Sequence, residues 1–218
     1  MEPADIHNIV KVLAKETPTW DVPIVTLVAE SSHDPFKVLI STVLSLRTKD
    51  ETTAAASRRL FKLADNPKDM LKLSEKKIVE AIYPVGFYKT KAKNINSICM
   101  DLIENYDSIV PDDIDELLKF KGVGRKTANL VVTLGYNKPG ICVDTHVHRI
   151  SNRFGYIVTE TPDETEFVLR DKLPKEYWID YNSLLVAFGQ HLCRPISPKC
   201  SECPVESYCD RVGVTTSR

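Results

Sequence analysis

Apolar positions recur along this chain at intervals of three and four. Ile6, Ile9, Val10 and Leu13 form one such stripe, and Phe36, Leu39, Ile40, Val43 and Leu44 a second. Ile78, Val79 and Ile82 form a third, and Ile95, Ile98, Leu102 and Ile103 a fourth. An α-helix brings residues at those spacings onto one face, so each stripe predicts a helix with one buried side. Punctuation agrees with the stripes. Pro3 stands near the start of the first and Pro18 beyond its end, Asp34-Pro35 opens the second, and Asn66-Pro67 and Ser74 open two more, the latter running to a break at Pro84 and Gly86. Thr48-x-x-Glu51 and Thr161-Pro162-Asp163-Glu164 have the form of capping boxes, Pro111-Asp112 is expected to cap the next helix, and Asp144 one that reaches Phe154-Gly155. A last helix runs through Leu184, Leu185, Val186, Phe188 and Leu192 into Cys193. Gly140 to Val143 is extended, but four residues make no sheet, and no convincing period-two strand occurs elsewhere. The chain therefore reads as all-α, with about ten helices or more.

With 218 residues, 43% of them hydrophobic, the chain has room for one large domain or two small ones. A break at Pro139-Gly140 favours two lobes: residues 28–138, and residues 1–27 together with 139–218. The formal net charge of -1 argues against wholesale binding to a polyanion, so any nucleic-acid role must rest on local clusters. No stretch approaches the roughly 18 uninterrupted apolar residues of a membrane span, and MEPADIHNIV lacks the basic-then-apolar order of a signal peptide. A soluble cytoplasmic protein with no membrane partner is expected.

Charge gives one stretch, Leu117 to Gly135, a distinct character. An apolar helix end runs into Gly122-Val123-Gly124 and leaves as a second helix. Glycines two apart let the backbone turn with positive φ and let its N–H groups approach a ligand with no Cβ in the way. The unpaired N–H groups of the following helix favour an anion such as phosphate. Lys119, Lys121, Arg125 and Lys126 crowd the turn, whereas Asp112, Asp113, Asp115 and Glu116 stay at the start of the preceding helix.

The six cysteines divide unevenly. Cys99 shares a helical stripe and Cys142 an apolar run, which assigns both to the core, while Cys193, Cys200, Cys203 and Cys209 fall within 17 residues. Arg194, Lys199, Glu202, Glu206 and Asp210 leave that cluster no apolar face, so it reads as a metal site. Its spacing, six, two and five residues between successive cysteines, suits one tetrahedral zinc or one cubane iron-sulfur cluster equally. In Val143-Asp144-Thr145-His146-Val147-His148-Arg149, the two histidines point to different sides of a helix, which argues against a shared metal.

Gly122-Val123-Gly124-Arg125-Lys126-Thr127-Ala128-Asn129, Val143-Asp144-Thr145-His146 and the four-cysteine tail, in that order, resemble the endonuclease III family of helix-hairpin-helix DNA glycosylases. The resemblance extends from about Phe36 to Cys209, with Leu44-Ser45 to Asp50 and Val85-Gly86-Phe87-Tyr88 also fitting. It implies a six-helix barrel, a second lobe that pairs the N-terminal helix with the C-terminal ones, a DNA cleft between them, and a [4Fe-4S] cluster rather than zinc. By position, Lys126 matches the family's nucleophile and Asp144 its catalytic carboxylate. Phe87 matches an apolar wedge, and Arg47 an inserted glutamine. Gly122, Gly124, Lys121 and Arg125 would meet phosphates at the hairpin, with Arg194 and Lys199 near phosphates on the cluster loop. The chain departs from the bacterial pattern at Lys121, where a proline is usual, and at Arg47.

The resemblance implies a monomeric, nucleoid-associated base excision repair enzyme, both DNA glycosylase and AP lyase. Its substrate would be duplex DNA carrying an oxidised pyrimidine or an abasic site. Lysine at position 126 marks the lyase branch, because relatives that only remove bases hold another residue there. An attacking amine must be neutral, and the helix N-terminus and Arg125 both disfavour a further positive charge. Two other readings remain at this point. One is a mismatch uracil or thymine glycosylase, and the other a non-catalytic helix-hairpin-helix DNA-binding protein with a zinc-stabilised tail, which would need the glycine turn but neither Lys126 nor Asp144.

Overall fold

The computed structural model describes residues 2, 4–17, 20, 24–32 and 34–218. Pro3 and Pro18, expected to bracket the first helix, lie outside the described residues. Among those described there are twelve α-helices and no strand. The chain divides into two compact units, Ile24–Lys138 and Met1–Pro23 with Pro139–Arg218.

The chain opens with α1 (Asp5–Glu16), which belongs to the second unit. The first unit holds α2 (Ile24–Ser32), α3 (Pro35–Ser45), α4 (Asp50–Leu63), α5 (Pro67–Leu71), α6 (Glu75–Ile82), α7 (Tyr88–Asn105), α8 (Ile114–Leu117) and α9 (Arg125–Leu130). Its centre is α3. Asp34 caps it by accepting from Phe36 N, and Pro35 sets its first turn. The sequence stripe predicted one buried face, but Val38, Ser41 and Thr42 on the other faces are buried as well. A helix covered all round lies at the middle of its bundle, and α3 packs against α2, α4, α7 and α9. Thr42 tolerates burial because its hydroxyl donates to Val38 O. The helix α2 was not singled out in the sequence; Val25 and Ala29, four apart, are buried in the core, and Ile24 packs against it.

Two expected caps fall elsewhere. Thr48 does not cap α4: the N-cap is Lys49, which makes no side-chain cap bond, and the Thr48 hydroxyl instead accepts from Gly86 N across 38 residues of sequence. Pro111-Asp112 does not cap α8 either; Asp113 does, its Oδ1 accepting from Asp115 N and Glu116 N, while Asp112 pairs with Lys138. In both cases several polar residues stood one or two positions apart, and tertiary partners decided which would cap.

The second unit continues with α10 (Thr145–Arg153), α11 (Pro162–Lys172) and α12 (Tyr181–His191). Ile6, Ile9, Val10 and Leu13 of α1 join Val147, Ile150, Phe154, Leu169, Leu185 and Phe188 in one core. Each such side chain contributes roughly 1.5–3 kcal/mol of burial. Thr161 and Glu164 form the expected capping box, with Pro162 at N1. Beyond α12 regular structure is confined to two three-residue 3-10 turns, Cys200–Glu202 and Glu206–Tyr208. Cys99 and Cys142 are buried as expected, and burial pushes the Cys99 thiol up to about 12.

Candidate functional site

The glycine hairpin belongs to the first unit. Its first helix, α8, is a single turn; Leu117 and Phe120 then bury themselves, and Val123 N donates to Phe120 O to close the loop. Gly122 has φ of 81°, which favours glycine, and a Cβ there would also displace the Asn94 amide of α7, whose Nδ2 it would approach to 2.2 Å. Gly124 is different. It is the extended N-cap of α9, and a Cβ would meet nothing within 4 Å. The fold itself therefore does not demand glycine at 124, and the open side of that backbone is where an incoming group could approach.

Arg125 and Lys126 follow as the first two residues of α9, both half-buried, while Thr127, Ala128 and Asn129 are buried. Asn129 Nδ2 donates to Arg125 O, which ties the first turn to the second. The helix then widens into a π-helical turn, Val131–Gly135. Lys121 is exposed on the hairpin.

Arg47 and Phe87 lie on two further turns of the same unit, and the structure brings them together. The Arg47 guanidinium stands 5.7 Å above the Phe87 ring. Phe87, the N-cap of α7, is 64% exposed, not a buried aromatic. Both residues have left-handed backbones, with φ of 52° and 55°. Positive φ is uncommon outside glycine and is an outlier for a bulky residue such as phenylalanine, so two adjacent cases mark a strained, held surface.

Asp144 belongs to the second unit. It caps α10 as expected, with Oδ1 accepting from His146 N and Val147 N, each at 2.9 Å. The two histidines do diverge: His146 Nδ1 faces Arg149 Nη2, and His148 Nδ1 meets Thr165 Oγ1 at 2.7 Å. Arg149 Nη2 also donates to Cys193 O at 2.9 Å, so the helix that Asp144 starts is fastened to the first cysteine of the tail.

The four tail cysteines line one small, partly open cavity, walled by Phe154, Phe188 and Leu192. Arg153 Nη1 lies 3.6 Å from Cys193 Sγ, and Arg211 N lies 3.4 Å from Cys209 Sγ. Such N–H donors suit sulfur that carries negative charge. Among the described residues no group of three His, Cys, Asp or Glu is arranged to hold a single metal ion. Burial pushes the Cys203 thiol up to about 11 and raises Cys209 as well. Arg194 is exposed, while half-buried Lys199 pairs with Glu202 at 3.1 Å.

Residues 40–175 match the HhH-GPD superfamily base excision DNA repair protein model. Endonuclease III of Thermotoga maritima is 48% identical over 177 residues, which cover 81% of this chain and 83% of that protein. The chain belongs to the HhH-GPD superfamily of base excision DNA repair proteins. Two solved members bind DNA. A non-covalent endonuclease III–DNA complex superposes with a TM-score of 0.86 at 35% identity, covering 97% of this chain and 96% of that one. A trapped endonuclease III–DNA covalent intermediate, an estranged-adenine complex, gives a TM-score of 0.84 at 33% identity, covering 97% of each chain. The fold is accordingly the all-helical one of this family, a six-helix barrel with a hairpin plus a second helical lobe, and the protein is a DNA glycosylase of base excision repair. No helix among the described residues is long and apolar enough to cross a membrane.

Sequence reasoning missed Lys91 and gave Thr48 and Gly86 only local roles, yet the three join the Arg47 and Phe87 turns. Lys91 is only 5% exposed, an unusual state for a lysine, and its Nζ donates to Leu44 O at 2.7 Å, Leu46 O at 2.6 Å and Thr48 Oγ1 at 3.1 Å. Its sequence neighbourhood, Lys89-Thr90-Lys91-Ala92-Lys93, resembles a solvated helix face. The detectable signal was helical spacing: Lys91 precedes buried Ile95 and Ile98 by four and seven residues and so lies on their face.

Proposed function

We propose that the protein excises oxidised pyrimidines from duplex DNA and then nicks the abasic site through a Schiff base on Lys126. The observation that carries this reading is the position of Lys126, in the first turn of α9 directly after the open backbone of Gly124. The covalent endonuclease III–DNA intermediate of a relative supports it. The chemistry follows from an amine in that place. The damaged nucleotide is extruded, because C1′ is inaccessible inside the stack. The Lys126 amine forms a bond to C1′ as the glycosidic bond breaks, and the base leaves with a proton. The sugar ring opens to a protonated imine. That imine acidifies the C2′ hydrogen, so its removal expels the 3′ phosphate by β-elimination, and water then releases the lysine. Gly122, Gly124, Lys121 and Arg125 contact backbone phosphates around the lesion.

Asp144 keeps two tasks in this reading, starting α10 and stabilising the positive charge that develops at C1′. Its Oδ1 accepts two backbone N–H bonds, which fix the carboxylate's orientation for the second task. Arg47 and Phe87 fill the gap left by the extruded nucleotide. Their shared exposure and left-handed turns support this, as does the estranged adenine of the relative. Cys193, Cys200, Cys203 and Cys209 hold a [4Fe-4S] cluster. The all-thiol donor set around one cavity fits such a group, and what it supplies when bound is a covalent clamp on the tail. Arg194 and Lys199 would then stand near phosphate, Lys199 after exchanging Glu202 for it. The protein would work as a monomer in the cytoplasm, at nucleoid DNA.

Borohydride reduction during turnover tests the core of the reading. It should trap a covalent protein–DNA adduct with wild type and none with Lys126→Ala. An adduct that survives the substitution would move the nucleophile elsewhere.

A further inference from the structure

We propose that Lys91 is a positioning residue: its buried ammonium fastens the Arg47 turn to the start of α7, so that Arg47 and Phe87 meet duplex DNA as one preassembled face. The inference rests on the reading above that both residues enter the helix.

The acceptors of Lys91 show what it holds. Leu44 lies in the last turn of α3 and Leu46 is that helix's C-cap, so their carbonyls are among those a helix end leaves without backbone partners. A cation there also complements the negative end of the helix dipole. The third acceptor, Thr48 Oγ1, is a junction. It accepts from Lys91 Nζ and from Gly86 N at 3.1 Å each, and it lies 3.2 Å from Leu46 O. One hydroxyl thus joins the turn that carries Arg47 to the turn that carries Phe87.

The turns are also in backbone contact. A Cβ on Gly86 would come within 2.6 Å of Arg47 O. On the far side, Arg59 of α4 donates to Ala81 O and Tyr83 O, which anchors the segment leading into Gly86. Lys91 N donates to Phe87 O, so the same residue secures the Phe87 turn by its main chain and the Arg47 turn by its side chain. One helical turn further along α7, Asn94 packs beneath Gly122 of the hairpin. The start of α7 therefore sets the Arg47 turn, the Phe87 turn and the glycine hairpin together.

Energetics explain why the fastening matters. Left-handed backbones at Arg47 and Phe87 persist only where the surroundings over-determine them. Without the ammonium, three acceptors would be left without its bonds and both turns would be free to relax. A lysine that merely filled the core would affect folding alone. One that presents a preformed face should affect the handling of duplex DNA beyond its effect on folding, because binding then avoids the cost of ordering the turns.

Nicking of an abasic site in a duplex, divided by nicking of the same site in a single-stranded oligonucleotide, isolates that role. Both reactions need Lys126, but only the duplex has an opposite strand whose gap must be filled. Lys91→Met keeps the length of the side chain and removes its donors, and should lower the ratio about tenfold. Thr48→Val, which keeps the volume and removes the junction, should lower it in the same direction by about threefold. If Lys91→Met does not fold, Thr48→Val decides alone. A wild-type ratio in folded Lys91→Met, or in Thr48→Val where it decides, overturns the inference. The Arg47→Ala, Phe87→Ala double variant checks the premise separately: a wild-type ratio there would show that these residues do not enter the helix, whatever Lys91 does.

Discussion

The two units hold their functional loops by opposite means. In Ile24–Lys138, the Arg47 and Phe87 turns are held by groups that the fold itself buries: the Lys91 ammonium, the Thr48 hydroxyl and a glycine against a carbonyl. In the other unit, residues 193–209 have no regular structure longer than a 3-10 turn, and Val205 is the one fully buried apolar side chain among residues 199–209. They are held from outside. Arg153 donates to Arg194 O at 2.6 Å and to Pro195 O at 2.7 Å, Arg149 reaches Cys193 O, and Arg218 N and O pair with Pro198 O and Ser201 N. A loop built by packing and internal bonds keeps its shape alone, whereas one built from a few arginines around four thiols depends on what the thiols bind.

That contrast predicts its own largest break. Cys203→Ser should release the 193–209 segment, seen as new proteolytic cuts within it and loss of the visible absorption expected of the proposed cluster, while hydrogen-exchange protection of α3 and α7 stays at wild-type level. Ligation and local folding are coupled where few other contacts exist. If protection falls equally in α3, the two units do not hold their loops independently and the comparison fails.

The next effect is smaller and depends on pH. Burial pushes Lys91 down to about 8, whereas an unfolded lysine titrates near 10.4. The unfolded chain therefore keeps a proton that the folded one has lost between about pH 8 and 10.4, so folding is favoured increasingly as pH rises through that window and least below pH 8. Relative to Lys91→Met, wild type should gain stability from pH 7.5 to 10, by up to about 3 kcal/mol. Denaturant melts of both proteins across that range measure it. A gap that stays flat would mean that the two carbonyls offset the desolvation completely.

Gly86→Ala tests the backbone contact between the turns. With Arg47 O only 2.6 Å from the new methyl, and a carbonyl unable to rotate away as a side-chain tip can, one turn must shift. The expected cost is about 1–3 kcal/mol, typical of overpacking, together with a lower ratio of duplex to single-strand nicking. Wild-type stability would show that the turns give way freely and are not held.

How much was legible beforehand differs between the same two regions. The four cysteines that line one cavity stood out as a group because their spacing is local, and Asp144, Thr161, Ser74 and Asp34 cap their helices as their immediate sequences suggest. The turn pair was not. Thr48 had a good local reading as a cap and lost it to Gly86, a partner 38 residues away. Lys91 sits among charged neighbours that mimic a solvated face, yet points inward. Local rules fail where a polar side chain has a distant acceptor, and the hairpin shows the mixed case. Its glycines were evident as a pair, but only the folded backbone separates Gly122, whose positive φ favours glycine, from Gly124, which nothing in the fold requires.

The smallest predicted effect concerns what Arg47 does once its turn is held. Arginine offers five donors and no acceptor, so it cannot accept guanine's ring N–H, whereas glutamine can both donate and accept. Arginine can stack and reach phosphate instead, and its place above the Phe87 ring already shows the stacking mode. Opposite-base recognition in this protein should therefore be broad and salt-dependent. Arg47→Gln removes one positive charge and the ring contact, worth together about 1 kcal/mol at an exposed site. It should lower the slope of log affinity against log salt by about one, and widen the spread of excision rates among the four opposite bases. The backbone at 47 is left-handed in either case, so Lys91 and Thr48 continue to present the turn, and the ratio of duplex to single-strand nicking should change by less than in Lys91→Met. If the salt slope and the base spread both match wild type, Arg47 stays above Phe87 and never enters the helix, and the preassembled face presents the phenyl ring alone.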